Sequence, residues 1–401
     1  MKKAIVTCNI NLTDSDGKSL RLLSIAKTLH KIGFKVTLIV NKCYSKEAKK
    51  FSIIENGSTM KDTLLDNFIE KLFHYFKQSI KLISFYLKIL ASGIDCDLIV
   101  TSLAGSEVDS LLACILSKIE KVPFIYDYDD PSPELRIAFF GCSTYDPRVK
   151  FSVFTRNFLI KNSSLVLTAA DTIRHEIIKE FGTRPKIYVW YNIPRIDNIE
   201  LYQNKKLLRR KLGLKMDAFI ISYLGRVPSW GILPLKEMLV RFAENFWHDK
   251  KTLFLIIGGG GRWEKYFRKL IRDFSLKNQI LITGMKPRKE ALEFLAASDV
   301  SCIPFSSNVA AYNILPTKLF EAMALGVPII CLKSKNYVNI LGEDGIYFDG
   351  SYEDFFKKVQ WCITNREKLN KISSRLMSRF QREYSWKKRL MTLKNATKLL
   401  A

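Results

Sequence analysis

Short apolar runs alternate with amphipathic stretches along the whole chain. In the first half the runs are KKAIVTCN, KVTLIV, CDLIVTS, PFIYDY, SLVLTA and KIYVWY. Continuous apolar runs of this length, separated by segments of helical period, predict strands buried on both faces and joined by helices, hence a parallel sheet. A polar passage, NIPRIDNIELYQNKK, interrupts the rhythm before AFIISYLG, LFLIIGGGG, QILITG, VSCIPF and VPIICL restart it. We therefore expect an α/β protein of two Rossmann-like parallel-sheet domains, residues 1–195 and 196–384, facing a cleft. Ligands would sit at the carboxyl ends of the strands. A basic helix over 385–401, SWKKRLMTLKNATKLLA, is expected to cross back to the first domain.

Length and composition agree with this picture. At 401 residues the chain exceeds the size at which one core keeps growing. No apolar run approaches the roughly 18 to 20 residues that span a bilayer, and the N-terminus runs straight into a strand pattern, so a cytoplasmic location is expected. The eight cysteines show no CxxC, and only His30, His74, His175 and His248 accompany them, so no metal centre is expected. Cys8, Cys96, Cys302 and Cys331 fall in apolar strand-like runs as small hydrophobes. The net charge of +25 points to an anionic partner: nucleic acid, a membrane surface or phosphorylated small molecules.

Candidate chemistry gathers at predicted strand ends. In NILPTKLFEAMALGVPIICL, residues 313–332, Pro316 opens and Gly326 closes a short helix. The free N–H groups of Thr317 and Lys318 would form an anion site, and Glu321, one turn further in, can accept paired hydrogen bonds from a ribose diol. The alternative is a carboxylate paired with Lys318 three residues away. LIIGGGGRW, with Gly258 and Gly259, ends a strand where backbone can approach a ligand, or else forms only a tight turn. Arg226 in SYLGRVPSWG is placed to fork onto a diphosphate, or else is a surface arginine. YDYDDPSPE carries Asp127, Asp129 and Asp130; its Asp-x-Asp can hold a divalent metal in other folds, but turn-forming aspartates fit better here.

One helix is patterned differently. Residues 68–91, FIEKLFHYFKQSIKLISFYLKILA, align Ile69, Leu72, Phe73, Phe76, Ile80, Ile83, Leu87 and Leu90 in an apolar stripe, with Glu70, His74, Lys77, Lys81 and Lys88 on another side. Such a helix can lie at an anionic membrane interface or simply cover the sheet.

Taken together, these residues resemble the retaining glycosyltransferases of family 4 (group 1), in the variant with a P-x-K-L-x-E element. GR after a strand, the glycine-rich strand end, ITGMKPRKEALEFLAASDVSCIPF and LPTKLFEAMALGVPII occur in the family's order; DSDGKSLRLLSIAKTLHKIGFKVTLI, which contains Gly17, and FIYDYDDPSPE look like its acceptor-side signatures. The resemblance implies a GT-B fold and transfer of a hexosyl group with retention. The donor would be a UDP- or GDP-sugar, and the acceptor a lipid-linked or cell-surface glycan at the cytoplasmic membrane face. It implies catalytic roles for Arg226, Lys318 and Asp129. Donor binding would fall to Glu321, Asn313, Pro316, Thr317, Leu315, Gly258, Gly259, Met285 and Trp230, and the acceptor side to Gly17, Asp127 and Asp130. No cofactor or metal is implied, and a nucleic-acid partner, which the charge permits, is not expected because the sequence has no basic recognition helix or RNP-like element.

Three positions depart from the family pattern. Asn313 replaces the first glutamate of E-x7-E, Trp230 replaces a lysine, and Asp129 replaces a histidine. A silent partner subunit and a sugar-nucleotide epimerase are therefore the competing expectations.

Overall fold

The computed structural model describes the chain except residues 15, 59–67, 103–105, 197, 227–231, 247–248, 250, 278, 305–314 and 401, and except the side chains of 68–73, 138–140, 226, 232–234 and 261–263. Two compact units result: residues 1–191 together with 389–401, and residues 192–388.

The first unit is built on seven parallel strands. They are β1 (Lys3–Leu12), β2 (Lys35–Cys43), β3 (Ser52–Glu55), β4 (Leu98–Ser102), β5 (Phe124–Tyr128), β6 (Leu165–Thr168) and β7 (Lys186–Val189), in the order β3-β2-β1-β4-β5-β6-β7. Every neighbouring pair is parallel. The central strands are apolar on both faces: Val6, Leu38, Ile99 and Ile125 are almost fully buried. Helices cover them, as a parallel sheet requires. Cys96 lies just before β4 and not within it, because pairing to β1 begins at Leu98.

The second unit repeats the plan with β8 (Phe219–Arg226), β9 (Thr252–Gly259), β10 (Ile280–Ile282), β11 (Val300–Ile303), β12 (Ile329–Leu332) and β13 (Ile346–Phe348), in the order β10-β9-β8-β11-β12-β13. In each sheet the winding direction reverses beside the unit's first strand, between β1 and β4 and between β8 and β11. Loops at the carboxyl ends of those strands diverge and leave room for a ligand.

The helix Trp386–Lys398 begins in the second unit and continues into the first, where Leu393 and Ala396 join the core around β1 and β2. Its Arg389 carbonyl accepts from Trp190 Nε1 at 3.2 Å, and the Arg389 guanidinium lies 3.6 Å from the Trp190 ring centroid.

Candidate active site

In the second unit the site grows from the contact of β8 with β9. Their register sets Gly225 against Gly258 and Arg226 against Gly259. All three glycines have positive φ, which L side chains rarely adopt. A Cβ on Gly258 would strike the Gly225 carbonyl oxygen, so these two strand ends are sealed by glycine on glycine. Gly258 N also donates to Thr283 Oγ1 at 3.1 Å and bridges to Gly284, which leaves the next residue, Met285, exposed.

Beyond the glycines, the helix Gly261–Asp273 is already occupied at its N-terminus. Glu264 Oε2 accepts from Gly260 N at 2.9 Å, and a hydrogen bond from Arg268 holds this carboxyl below its ordinary range. A fixed carboxylate there competes with an incoming anion.

The helix Thr317–Ala324 is different. Pro316 is its N-cap, one residue ahead of the first-turn position expected from the sequence, and a proline has no side-chain group with which to cap it. Its amides therefore remain available to an anion. Lys318 adds a full charge at the same end. Its ammonium lies 4.3 Å from the Tyr223 ring centroid and 2.8 Å from where a Cβ on Gly225 would stand. The side chain thus reaches to the carboxyl end of β8 because Gly225 leaves it the space.

Leu315 is buried just before the helix, and Thr317 is half-buried at its first position. At the other end Gly326 adopts the left-handed conformation, its carbonyl accepts from Ser373 Oγ at 2.5 Å, and Met377 packs against it. These contacts fix the helix on its neighbour Arg366–Glu383.

Glu321 does not pair with Lys318, as its spacing alone allowed. Its Oε1 meets Arg288 Nη1 at 2.7 Å, with 6% of the Glu321 side chain exposed against 26% for Arg288. The arginine opens the helix Arg288–Ala296, within the stretch PRKEALEF. Lys318 and Glu321, on one helix, therefore face separate partners, an arrangement suited to holding an anion and a diol side by side. Asn313 and Trp230 lie outside the described residues, and the Arg226 side chain is not described.

The first unit holds a second polar centre. The helix Gly17–Lys31 begins at Gly17 and is capped by Asp16, whose Oδ1 accepts from Ser19 N at 3.0 Å. One turn in, buried Arg21 grips buried Asp127 with two hydrogen bonds of 2.8 and 2.5 Å and donates to the Trp190 carbonyl at 2.9 Å. Asp127 is thus committed to holding β5 to this helix. Asp129 is 3.9 Å from Arg21, and burial, reinforced by the neighbouring Asp130 carboxyl, pushes its pKa up to about 8. A carboxyl in that state keeps its proton at neutral pH and can donate a hydrogen bond. Asp130 is raised as well, again through burial.

Arg21, Arg288 and Glu264 were not among the expected site residues. Arg21 alone carried a signal, a charge set within the apolar run LRLLSIA. Among the described residues no group of three or more His, Cys, Asp or Glu side chains is arranged to hold a metal ion.

These features are similar to those of glycosyltransferases. The family model of the glycosyl transferases group 1 matches residues 204–376, within the second unit. Among curated relatives, the Bacillus subtilis protein named as teichuronic acid biosynthesis glycosyltransferase TuaC is 26% identical over 195 residues, 48% of this chain and 44% of that protein. The chain thus matches less than half the length of that relative. Among solved structures, the sucrose-phosphate synthase from Thermosynechococcus elongatus superposes with a TM-score of 0.75 over 100% of this chain and 99% of that one, at 14% identity. HepE of Anabaena, solved with UDP-glucose, gives 0.71 at 16% identity over 99% of this chain and 100% of that one. The fold is accordingly that of the GT-B class, two Rossmann-like parallel-sheet domains.

Proposed function

We propose that this protein transfers a hexosyl group, with retention of anomeric configuration, from a UDP- or GDP-linked sugar to a lipid-linked or cell-surface glycan at the cytoplasmic membrane face. The observation that carries the proposal is the Lys318 ammonium set against Gly225 at a helix N-terminus whose N-cap is a proline, one turn from buried Glu321. Diphosphate and ribose are the two groups that such a pair recognises. The teichuronic acid assignment of TuaC and the UDP-glucose bound by HepE support a nucleotide sugar as donor and glycan assembly as the setting.

In this reading the glycosyl group leaves through an oxocarbenium-like transition state, and the departing diphosphate gathers negative charge. Lys318, the amides of Thr317 and Lys318, and Arg226 stabilise that charge, which makes them worth more in the transition state than in the ground state. Lys318 thereby takes the part of the lysine that Trp230 replaces. Glu321 holds the ribose, and Asp129, protonated, donates to a substrate hydroxyl. No step is assigned to a metal.

Calorimetric titration with a panel of UDP- and GDP-sugars, followed by assignment of the product anomer by NMR, tests the reading. Binding of one donor and a product with the donor's configuration are expected. Failure to bind any nucleotide sugar would leave the silent-subunit reading instead.

A further inference from the structure

The helix Phe68–Ser92 presents three faces, and the function just proposed uses none of them directly. At 100° per residue, Gln78, Leu82, Tyr86 and Ile89 share one arc, and all four are buried in the first unit. Tyr86 anchors that face, donating to Asp109 Oδ1 at 2.9 Å. Phe76, Ile80, Ile83 and Leu87 fall within roughly 60° of one another on a different arc. They are 65%, 51%, 43% and 59% exposed. Lys77, Lys81 and Lys88 form a third row beside them, all exposed, and no acidic residue occurs from Lys71 to Ser92.

A helix that only covered a sheet would bury its apolar residues and turn polar ones outward. Here four large apolar side chains over three turns are left in solvent, on a helix whose opposite side is already anchored. Scattered exposed apolar residues need no explanation, but an aligned row does. The lysine row decides what covers it. A protein partner or a second copy would have to bring its own acidic surface, whereas an anionic lipid surface supplies hydrocarbon and negative charge together, in the order that this helix presents them. Among the described residues no helix is long and apolar enough to cross a membrane.

We propose that this face docks the protein on an anionic lipid bilayer, with Phe76, Ile80, Ile83 and Leu87 entering the boundary of the acyl region and Lys77, Lys81 and Lys88 lying against the headgroups. The inference deepens the proposed transfer to a lipid-linked acceptor and rests on that reading for its purpose. The binding itself stands on the helix alone.

The test is co-sedimentation of the full chain with vesicles of phosphatidylglycerol and phosphatidylcholine, against pure phosphatidylcholine. Binding only to the anionic vesicles is expected. A Lys77→Gln, Lys81→Gln, Lys88→Gln variant should lose about 100-fold in affinity, from about 5-fold for each lysine near the surface. A Phe76→Ser, Ile80→Ser, Leu87→Ser variant should lose the binding that survives high salt. Because all six positions are exposed, both variants should keep the wild-type Tm and the wild-type affinity for a nucleotide sugar. Absence of binding by the wild type, or binding as tight as wild type by both variants, overturns the proposal. A concentration-dependent dimer in sedimentation velocity that the serine variant abolishes, without vesicle binding, assigns the row to self-association. Vesicle binding by a chain that binds no nucleotide sugar leaves this inference standing and removes the enzymatic one.

Discussion

The ion pair of Glu321 with Arg288 makes an asymmetric prediction. The carboxylate is almost wholly buried, whereas about a quarter of the arginine side chain meets solvent. Removing Glu321 leaves a guanidinium that water can partly rehydrate; removing Arg288 leaves a charge that water cannot reach. Breaking a fully buried pair by deleting one partner costs about 3 to 5 kcal/mol. Partial access at Arg288 reduces this, and we expect about 2 to 3 kcal/mol for Arg288→Ala against about 1 kcal/mol for Glu321→Ala. In a unit of the size of residues 192–388, 1 kcal/mol shifts Tm by about 2 to 4 °C, so Arg288→Ala should melt about 4 to 12 °C below wild type. Adding Glu321→Gln to Arg288→Ala removes the stranded charge and should restore most of the loss. A bound ribose would also restore it, so a nucleotide sugar should raise the Tm of Arg288→Ala by more than it raises that of wild type. Differential scanning calorimetry at neutral pH, with and without donor, reads all of this. An Arg288→Ala protein melting within about 1 °C of wild type, or a double variant no more stable than Arg288→Ala, refutes the reasoning.

Other consequences are as direct. Lys318→Ala should raise the barrier by about 2 to 4 kcal/mol, seen as a fall in kcat larger than the rise in donor KM, with Trp230→Lys partly rescuing it. Wild-type kcat in Lys318→Ala would exclude the lysine from charge stabilisation. Asp129, pushed up to about 8 by burial beside Asp130, binds its proton more tightly folded than unfolded, where its pKa is about 3.9. Its contribution to stability is complete below about pH 4 and is lost as pH rises through about 8. Thermal scans across pH should therefore show Asp129→Asn gaining on wild type from pH 5 to pH 9, and parallel curves would show that the carboxyl does not hold its proton there.

The strands that carry each sheet were legible because their apolar runs are continuous. β3 and β13, of four and three residues at sheet edges, were not among the expected strands, although β7 and β10, as short and also at edges, were legible in KIYVWY and QILITG. The ends of the Thr317–Ala324 helix were legible within a residue from Pro316 and Gly326, since proline and glycine act through local backbone geometry. Glu321's partner was not, since Arg288 comes from a different helix and the local spacing favoured Lys318. The same holds for Arg21 and Asp127, which stand 106 residues apart in the chain and meet only because β1 and β5 share a sheet. The helix Phe68–Ser92 showed its apolar and basic rows in the sequence, but only packing against the sheet showed which row was left outside.

The bond from Trp190 to the Arg389 carbonyl has a consequence for how this chain is born. Residues 192–388 are continuous, so that unit can complete its core from one uninterrupted stretch of chain. The unit that begins at Met1 cannot. Leu393 and Ala396 belong to its core, in one cluster with residues of the first helix and the first two strands, and they are made only after the whole of the other unit. The half translated first is thus the half finished last. Until Arg389 reaches Trp190, the apolar core around β1 and β2 lacks Leu393 and Ala396.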